Sequence, residues 1–344
     1  MPSIEFGCRT TIIGSMPHTD PDQACSDISR YLKDIPAWPQ LPRRSFLENM
    51  YVQYSQGFPG GVINEGERKI RVDRSADLNQ PLERLYAAFL EDDPDRYPIT
   101  PQYAAGLHSF LAQSDLRPMA VKGQVTGPVT WGLTVIDTEG KGILYDDFLG
   151  DVVPKLLRMK AAWQEKQLRK LSPDTIIFVD EPYMSAFGSV SVMLSREKVA
   201  GLLEEVFGGI RGLKGVHCCG NTDWSLLLDT SVDIISFDAY NYAQSLGLYP
   251  AEIKKFLDRG GTIAWGIIPT DEESLLKETV SSLKDRLEEA MAPFTERDIQ
   301  FKQLTAQALL TPSCGLSSLP TVAAALRAME LLTELSAEFR KRYI

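Results

Sequence analysis

Histidine and cysteine are scarce in this chain, which has three of the former and five of the latter among 344 residues. Long hydrophobic runs are also lacking, since no apolar stretch approaches the roughly 20 residues that a membrane-spanning helix needs. Acidic residues outnumber basic ones, 46 to 36, and the net charge of −10 argues against a nucleic-acid-binding protein, which would show a basic face. The odd, low number of cysteines indicates free thiols rather than disulfides, so we expect a cytoplasmic protein.

One stretch concentrates the scarce metal-ligating residues. Residues 215–221 read Gly-Val-His-Cys-Cys-Gly-Asn, at the predicted end of a strand. Side chains two apart on a strand share a face, so His217 and Cys219 point the same way and Cys218 points away. Cys314, at the end of the last apolar run, offers a third ligand of a kind that Zn²⁺ prefers. We predict a zinc site here; the alternative is that the cysteines are small buried apolar residues.

Strand and helix patterns alternate along most of the chain. The predicted strands are short, continuous apolar runs, which are typical of parallel strands buried on both faces. Short linkers join them to longer helical segments, as in β/α construction. Eight such units predict a single-domain (β/α)8 TIM barrel over residues 1–344, and an open doubly wound sheet is the weaker alternative. The strands are predicted at 10–15, 68–73, 118–125, 175–179, 213–219, 233–237, 262–268 and 308–311. The helices are predicted at 20–32, 45–55, 81–91, 146–171, 196–207, 224–229, 249–259, 271–290 and 321–342.

Residues 36–67 depart from this alternation. Proline and glycine recur there and prevent long elements, apart from the helix predicted at 45–55. A long insertion after a first strand is usually functional. We therefore expect this segment to form a lid or a binding loop.

Polar residues follow most of the predicted strands. The active site of a TIM barrel lies at the carboxyl ends of its strands, so residues from distant strands converge at one mouth. The residues at these positions are Ser15, Thr126, Asp180, Glu181, His217, Cys219, Asp238 and Cys314.

Six motifs in this order resemble the catalytic C-terminal half of cobalamin-independent methionine synthase. That half belongs to a barrel superfamily with uroporphyrinogen decarboxylase and the corrinoid-dependent thiol methyltransferases. The motifs are Ile-Ile-Gly-Ser-Met-Pro at 12–17, Thr-Gly-Pro-Val-Thr at 126–130, Val-Asp-Glu-Pro at 179–182, His-Cys-Cys at 217–219, Ile-Ser-Phe-Asp at 235–238 and Ser-Cys-Gly-Leu at 313–316. They span nearly the whole chain.

The resemblance implies a set of metal ligands. His217, Cys219 and Cys314 fall on the family's zinc-ligand positions. Asp238 stands where the family has a glutamate ligand, so it is a candidate fourth ligand that substrate would displace. A substrate thiol on such a zinc is deprotonated and becomes the nucleophile.

The resemblance also implies a homocysteine site. Ile13 and Ser15 match contacts to the amino-acid part of homocysteine, and Asp180 matches the carboxylate that binds its ammonium group. Glu48 is a second candidate carboxylate, on a looser match. The implied activity is zinc-dependent methylation of homocysteine to methionine. The alternatives are a uroporphyrinogen decarboxylase-like enzyme, a corrinoid-dependent methyltransferase acting on another thiol such as coenzyme M, and a non-enzymatic corrinoid or tetrapyrrole carrier.

Departures from the family concern the methyl donor. Thr134 stands where the family has its folate-stacking tryptophan, no histidine follows the seventh predicted strand, and no segment matches the family's N-terminal half. Methyl-folate needs a proton for its leaving amine, whereas a methyl-corrinoid does not. The sequence therefore favours a methyl-corrinoid donor over methyl-tetrahydrofolate, with a separate corrinoid protein as a candidate partner. Asp271 or Glu272 is the candidate acid if folate is the donor, because a buried carboxyl can have a raised pKa.

Overall fold

A parallel sheet of seven strands forms the centre of the computed structural model, which describes residues 4–189 and 192–344. The strands are β1 (Arg9–Thr10), β2 (Gly61–Asn64), β3 (Lys69–Val72), β4 (Val121–Thr126), β5 (Ile136–Asp137), β6 (Thr175–Asp180), β7 (Leu213–Cys218), β8 (Ile234–Phe237), β9 (Thr262–Ile268) and β10 (Ala308–Pro312). The helices are α1 (Pro21–Tyr31), α2 (Met50–Gln53), α3 (Asn79–Leu90), α4 (Ala105–Leu111), α5 (Pro128–Thr134), α6 (Leu149–Leu168), α7 (Arg196–Phe207), α8 (Trp224–Leu228), α9 (Ala239–Leu246), α10 (Pro250–Asp258), α11 (Glu272–Lys277), α12 (Val280–Thr295), α13 (Phe301–Ala306) and α14 (Val322–Tyr343).

The large sheet confirms the predicted α/β class. Its order is β1-β10-β9-β8-β7-β6-β4, and all its strand pairs are parallel. β4, β6, β8, β9 and β10 are buried along their whole length, which explains why β6, β8, β9 and β10 read as largely apolar runs, whereas β4 buries Lys122 and Gln124. No helix in the described part of the chain is long and apolar enough to cross a membrane.

The prediction of a second barrel strand at residues 68–73 is wrong. β3, within that range, pairs antiparallel with β2, and both belong to a separate three-stranded sheet with β5. In β3 Ile70 and Val72 are buried, while Lys69 and Arg71 are exposed. Such alternation is typical of a strand with one face in solvent, whereas a barrel strand is buried on both faces.

Residues 36–40 occupy the position between β1 and β4 instead. The Trp38 N–H donates to the Lys122 carbonyl (3.3 Å) in β4, and the Gln40 N–H donates to the Gly14 carbonyl (3.0 Å) beyond β1. Parallel bridges accompany both contacts. The two prolines of this segment remove N–H donors, so it forms bridges to both edges of the sheet rather than a continuous ladder. The segment thereby joins the two ends of the seven-stranded sheet.

Where residues 36–40 no longer pair with β4, a glutamine side chain bonds to the backbone of β4 instead. Gln164, on α6, accepts a hydrogen bond from the Gln124 N–H (2.9 Å) and donates one to the Gln124 carbonyl (2.8 Å). It also accepts from Nε1 of Trp38 (2.7 Å). These bonds satisfy buried polar groups at the edge of β4 that would otherwise cost free energy.

Two predicted helices are divided differently in the structure. The helix expected at 271–290 is two helices, α11 and α12, because Thr279 adopts an extended conformation and caps α12 with Ser282. The helix expected at 45–55 is reduced to a short 3₁₀ segment and the single turn α2, which Asn49 caps. This irregular backbone brings Glu48 and its neighbours towards the mouth of the sheet.

Candidate metal and substrate site

Three ligand atoms converge at the carboxyl ends of β7 and β10. The side chains of His217, Cys219 and Cys314 place their ligand atoms within 4.8 Å of one another. His217 lies within β7, Cys219 directly follows it, and Cys314 lies two residues beyond β10. The three residues that the sequence pattern singled out are therefore brought together by the parallel sheet.

Sheet pairing also orients the histidine ring. His217 is paired with Ser236 of the neighbouring β8, and its Nδ1 lies 3.0 Å from the serine hydroxyl oxygen. Its Nε2 is buried and has no hydrogen-bond partner among the described residues. A ring held through one nitrogen with the other left free is the usual arrangement of a metal-ligating histidine. The free nitrogen and two sulfur atoms make a donor set that fits zinc.

The two thiols of the group differ strongly in acidity. The Cys314 thiol, and after it the His217 ring, lower the pKa of Cys219 to about 4. The same interaction, with burial, raises the pKa of Cys314. The direction of the two shifts favours a thiolate at Cys219 and a thiol at Cys314, and the thiolate is the form of cysteine that binds metals.

Cys218 has the opposite environment, as its place on the other face of the strand predicts. It is buried in the apolar core, and burial raises its pKa to about 12. Its sulfur lies 3.6 Å from the Gly220 carbonyl and outside the three-residue group.

A cavity of about 330 Å³ opens beside these ligands. All four residues expected at the homocysteine site line it together with the three candidate metal ligands. The insertion contributes five further lining residues, which sequence reasoning missed because the segment lacks a regular pattern. The cavity is lined by Ile13, Ser15, Gln40, Pro42, Glu48, Asn49, Met50, Tyr51, Asp180, Pro182, His217, Cys219, Cys314, Gly315 and Ser317.

Two carboxylates in this cavity are incompletely paired. Oε1 of Glu48 accepts a hydrogen bond from Arg44 (2.5 Å), while its Oε2 has no partner among the described residues. Oδ1 of Asp180 is likewise buried without a partner in the described chain. Burial raises the pKa of Glu48 and raises that of Asp180 to about 6. Each carboxylate would be stabilised in its charged form by a cationic ligand group.

Asp238 is not brought into the metal group. It caps α9, and its two oxygens accept hydrogen bonds from the backbone N–H (2.9 Å) and the side-chain amide (2.7 Å) of Asn241. It lies outside both the described cavity lining and the three-residue group. In this conformation both oxygens of Asp238 serve the helix terminus, although Cys219 and His217 are near enough to affect its pKa, and the fourth-ligand role stays a prediction.

Asp271 and Glu272 also differ from their expected environment. Both are exposed, and neither is among the described residues that line the cavity. Asp271 caps α11 by accepting from the Ser274 N–H (2.8 Å), and this hydrogen bond lowers its pKa. The raised pKa that a proton donor needs at neutral pH is therefore not produced at Asp271.

Glu181 explains why two of the motifs occur together. Its buried carboxylate accepts from the N–H groups of Val129 (2.9 Å) and Thr130 (2.8 Å) and from the Thr130 hydroxyl (2.6 Å). A Cβ at Gly127 would lie 2.1 Å from the Glu181 carboxyl carbon, so only glycine fits there. The glutamate thus joins the end of β6 to the first turn of α5, next to the cavity residues Asp180 and Pro182.

Comparison with known proteins places this fold among methyltransferases. No family model matches the chain. It is similar over its whole length to a solved methyltransferase from Methanosarcina mazei, with a TM-score of 0.57, 14% identity, and coverage of 96% of this chain and 93% of the other.

Within that class, the similarity is to methionine synthases. The B12-independent methionine synthase from Shewanella sp. W3-18-1, solved in complex with selenomethionine, matches with a TM-score of 0.59 and 16% identity over 97% of this chain and 98% of its own. The sequence aligns over 209 residues with the methionine synthase of Methanocaldococcus jannaschii, and 24% of the aligned residues are identical. The alignment covers 58% of this chain and 59% of the relative's length. The resemblance indicated by the six motifs is confirmed, and the fold is that of the B12-independent methionine synthases.

The difference in thiol acidity leads to a prediction for the metal-free protein. After treatment with a chelator, Cys219 should be alkylated by iodoacetamide roughly tenfold or more faster at pH 7 than Cys8, Cys25 or Cys218. Its pKa of about 4 leaves it as a thiolate, whereas burial raises the pKa of the other three to about 12. Mass spectrometry of peptides after brief exposure gives the rates. A Cys219 rate that climbs in proportion to hydroxide between about pH 6 and 8 would show an ordinary thiol instead.

Proposed function

We propose that this protein is a zinc-dependent thiol methyltransferase that converts homocysteine to methionine. The observation that carries the proposal is one cavity with two kinds of unsatisfied group: a sulfur-sulfur-nitrogen ligand set and two buried, incompletely paired carboxylates. The first suits a zinc ion that takes up a thiol, and the second suits an ammonium group. Homocysteine carries both a thiol and an ammonium group.

His217, Cys219 and Cys314 would hold the zinc. Bound zinc supplies a site at which a substrate thiol is deprotonated at neutral pH and becomes a nucleophile. The chain's own part is to prepare the ligands: Ser236 holds the His217 ring, and the Cys219 side chain is favoured as a thiolate. Three protein ligands leave a position open for substrate, as is usual for a catalytic zinc.

Asp180 and Glu48 would bind the ammonium group of homocysteine. Both line the cavity that the metal ligands share, and each has a buried oxygen that no described residue pairs. Ile13 and Ser15 line the same cavity and would contact the rest of the amino-acid group. That the Shewanella relative is seen with selenomethionine, a methylated amino acid, supports an amino-acid site here.

The same carboxylates weigh against the alternative substrates. Coenzyme M carries a sulfonate and a porphyrinogen carries several carboxylates, and neither offers the ammonium group that the buried carboxylates of Asp180 and Glu48 would pair with. A decarboxylase acting on a porphyrinogen would also leave the three converging ligands without a purpose. Homocysteine is therefore favoured over either.

For the methyl donor we propose a methyl-corrinoid, delivered by a separate corrinoid protein. Thr134 stands at the register of the family's folate-stacking tryptophan, and Asp271, one of the two candidate acids, has a lowered pKa. A cobalt leaving group needs no proton, whereas the amine of methyl-folate does. The insertion at 36–67, which supplies part of the cavity wall, would cover the substrate as a lid.

Zinc content tests the metal assignment. Purified, reduced protein should contain about one zinc per chain with sulfur ligands visible at the zinc absorption edge. Cys219→Ser should lose most of the metal, while Cys218→Ser, which changes the neighbouring thiol on the other face, should keep it. Asp238→Asn should keep it as well, because both oxygens of Asp238 are occupied by Asn241. A zinc edge without sulfur ligands would contradict the assignment.

Calorimetry with homocysteine tests the substrate assignment. Binding should release about one proton near neutral pH, because the thiol becomes a thiolate. Asp180→Asn should weaken binding by roughly tenfold or more with no loss of metal, since the ammonium loses a charged partner. Asp233→Asn is the control and should bind normally, because Asp233 lies directly before β8, at the other end of the sheet, where it accepts from the Lys214 N–H. If Asp180→Asn instead empties the metal site and leaves the affinity for homocysteine intact, the roles are assigned wrongly.

Donor preference is tested by measuring methionine formed from each donor side by side. With zinc and homocysteine present, methyl-cobalamin should be used faster than methyl-tetrahydrofolate, including its polyglutamate forms. A general acid typically contributes about 10²–10⁴-fold, so folate turnover should be slow without one. Equal or faster turnover with folate would show that some group supplies the proton, and the corrinoid donor should then be abandoned.

A further inference from the structure

A buried lysine is bonded to the cavity wall and its charge interacts with that of Asp180, but the function proposed above assigns it no role. Lys122, in β4, is fully buried, and its Nζ donates hydrogen bonds to the Ile13 carbonyl (2.6 Å) and to Oε1 of Gln124 (3.2 Å). The ammonium also lies 4.2 Å from the centre of the Phe178 ring. These contacts hold a charge inside the sheet, among apolar side chains such as Ile13 and Ile176.

The contacts of Lys122 converge on one turn of the cavity wall. Ile13 and Ser15 line the cavity, and Gly14 between them has a φ of 147°, a conformation that side chains rarely adopt. A Cβ at Gly14 would lie 2.6 Å from the amide carbon of Gln124. Lys122 therefore bonds directly to Ile13, the first residue of the turn. It also bonds to Gln124, whose side chain packs against Gly14, the second residue.

The energetic cost of this arrangement indicates a purpose beyond packing. Removing an ammonium from water is expensive, and burial lowers the pKa of Lys122 to about 7. An apolar side chain of similar volume would fill the same space at a lower cost. A lysine does here what such a side chain cannot, since it donates a hydrogen bond to a backbone carbonyl at the floor of the cavity.

We propose that Lys122 is a positioning residue for the amino-acid subsite, because its ammonium fixes the carbonyl of Ile13 and with it the turn from Ile13 to Ser15. The inference rests on the proposed homocysteine site and deepens it. Lys122 touches the turn rather than the substrate. It should therefore affect the affinity for the amino-acid part of the ligand and leave the metal ligands unchanged.

Lys160 provides a matched control elsewhere in the chain. It is also buried, its Nζ donates to one backbone carbonyl, that of Pro98 (2.8 Å), and burial lowers its pKa to about 7. It belongs to α6 rather than to the sheet, and it is absent from the described cavity lining. Removing either ammonium disturbs a buried site, but only Lys122 is connected to the turn.

The experiment compares Lys122→Met and Lys160→Met in the zinc-loaded protein. Calorimetry should show the Kd for homocysteine raised by about tenfold or more in Lys122→Met and changed less than about twofold in Lys160→Met. Zinc content should be equal in both, and 1-propanethiol, a thiol without an amino-acid group, should bind Lys122→Met as it binds the wild type. An unchanged Kd for homocysteine, or an equal weakening for both thiols, would overturn the proposal.

A second variant keeps the test decisive if Lys122→Met does not fold. Gln124→Met removes the second acceptor of Lys122 and the hydrogen bond from Gln124 to the Trp38 carbonyl, and it leaves a side chain of similar size beneath Gly14. It should also raise the Kd for homocysteine, and no change would count against the proposal. Failure of the inference and failure of the proposed function are separable. If the wild type binds homocysteine and Lys122→Met binds it equally well, only the inference is refuted, whereas a wild type that binds no homocysteine refutes both.

Discussion

The register of three adjacent parallel strands is the constraint on which the site depends. Asp180 of β6 is paired with His217 of β7, and His217 is paired with Ser236 of β8. This row puts a carboxylate, an imidazole and the hydroxyl that orients it on one level at the mouth of the sheet. A slip of one residue in either pairing would turn the slipped side chain to the opposite face. The carboxyl ends of β7 and β10 then supply Cys219 and Cys314 at the same level.

Three buried polar atoms at the candidate site have no hydrogen-bond partner among the described residues. Buried polar groups in native proteins are almost always hydrogen-bonded, so exceptions need an explanation. Nε2 of His217, Oδ1 of Asp180 and Oε2 of Glu48 lack partners within the described residues, and all three residues line one cavity. By contrast, the side chains of Gln164 and Glu181 form hydrogen bonds with nearby backbone groups. The surrounding structure can therefore supply partners to buried polar groups next to the cavity.

Much of this could be read from local pattern. Continuous apolar runs predict parallel strands because such strands are buried on both faces, and the period of two separates His217 and Cys219 from Cys218. Active-site placement at strand ends then brought Cys314 into the same prediction. The segment at 36–40, which occupies the second position of the predicted barrel, could not be predicted from the sequence, because it contains prolines and forms only isolated bridges. The alternating residues of β3 show a strand pattern, and the prediction therefore fell on them.

The sequence by itself determined the parallel α/β class and the convergence of three candidate metal ligands, because each depends on a short-range period or on the common direction of the strands. The family resemblance then implied the role of Asp180. Only the tertiary structure decided how residues far apart in the chain share polar partners. It gave Asp238 to a helix cap, left Glu48 half-paired at the cavity, and aimed Lys122 at the Ile13 carbonyl. Asn241, which occupies Asp238, is only three residues away in the chain. The Ile13 carbonyl, however, lies 109 residues from Lys122 in the chain, and the free energy of burying a polar group, rather than any local pattern, selects such a partner.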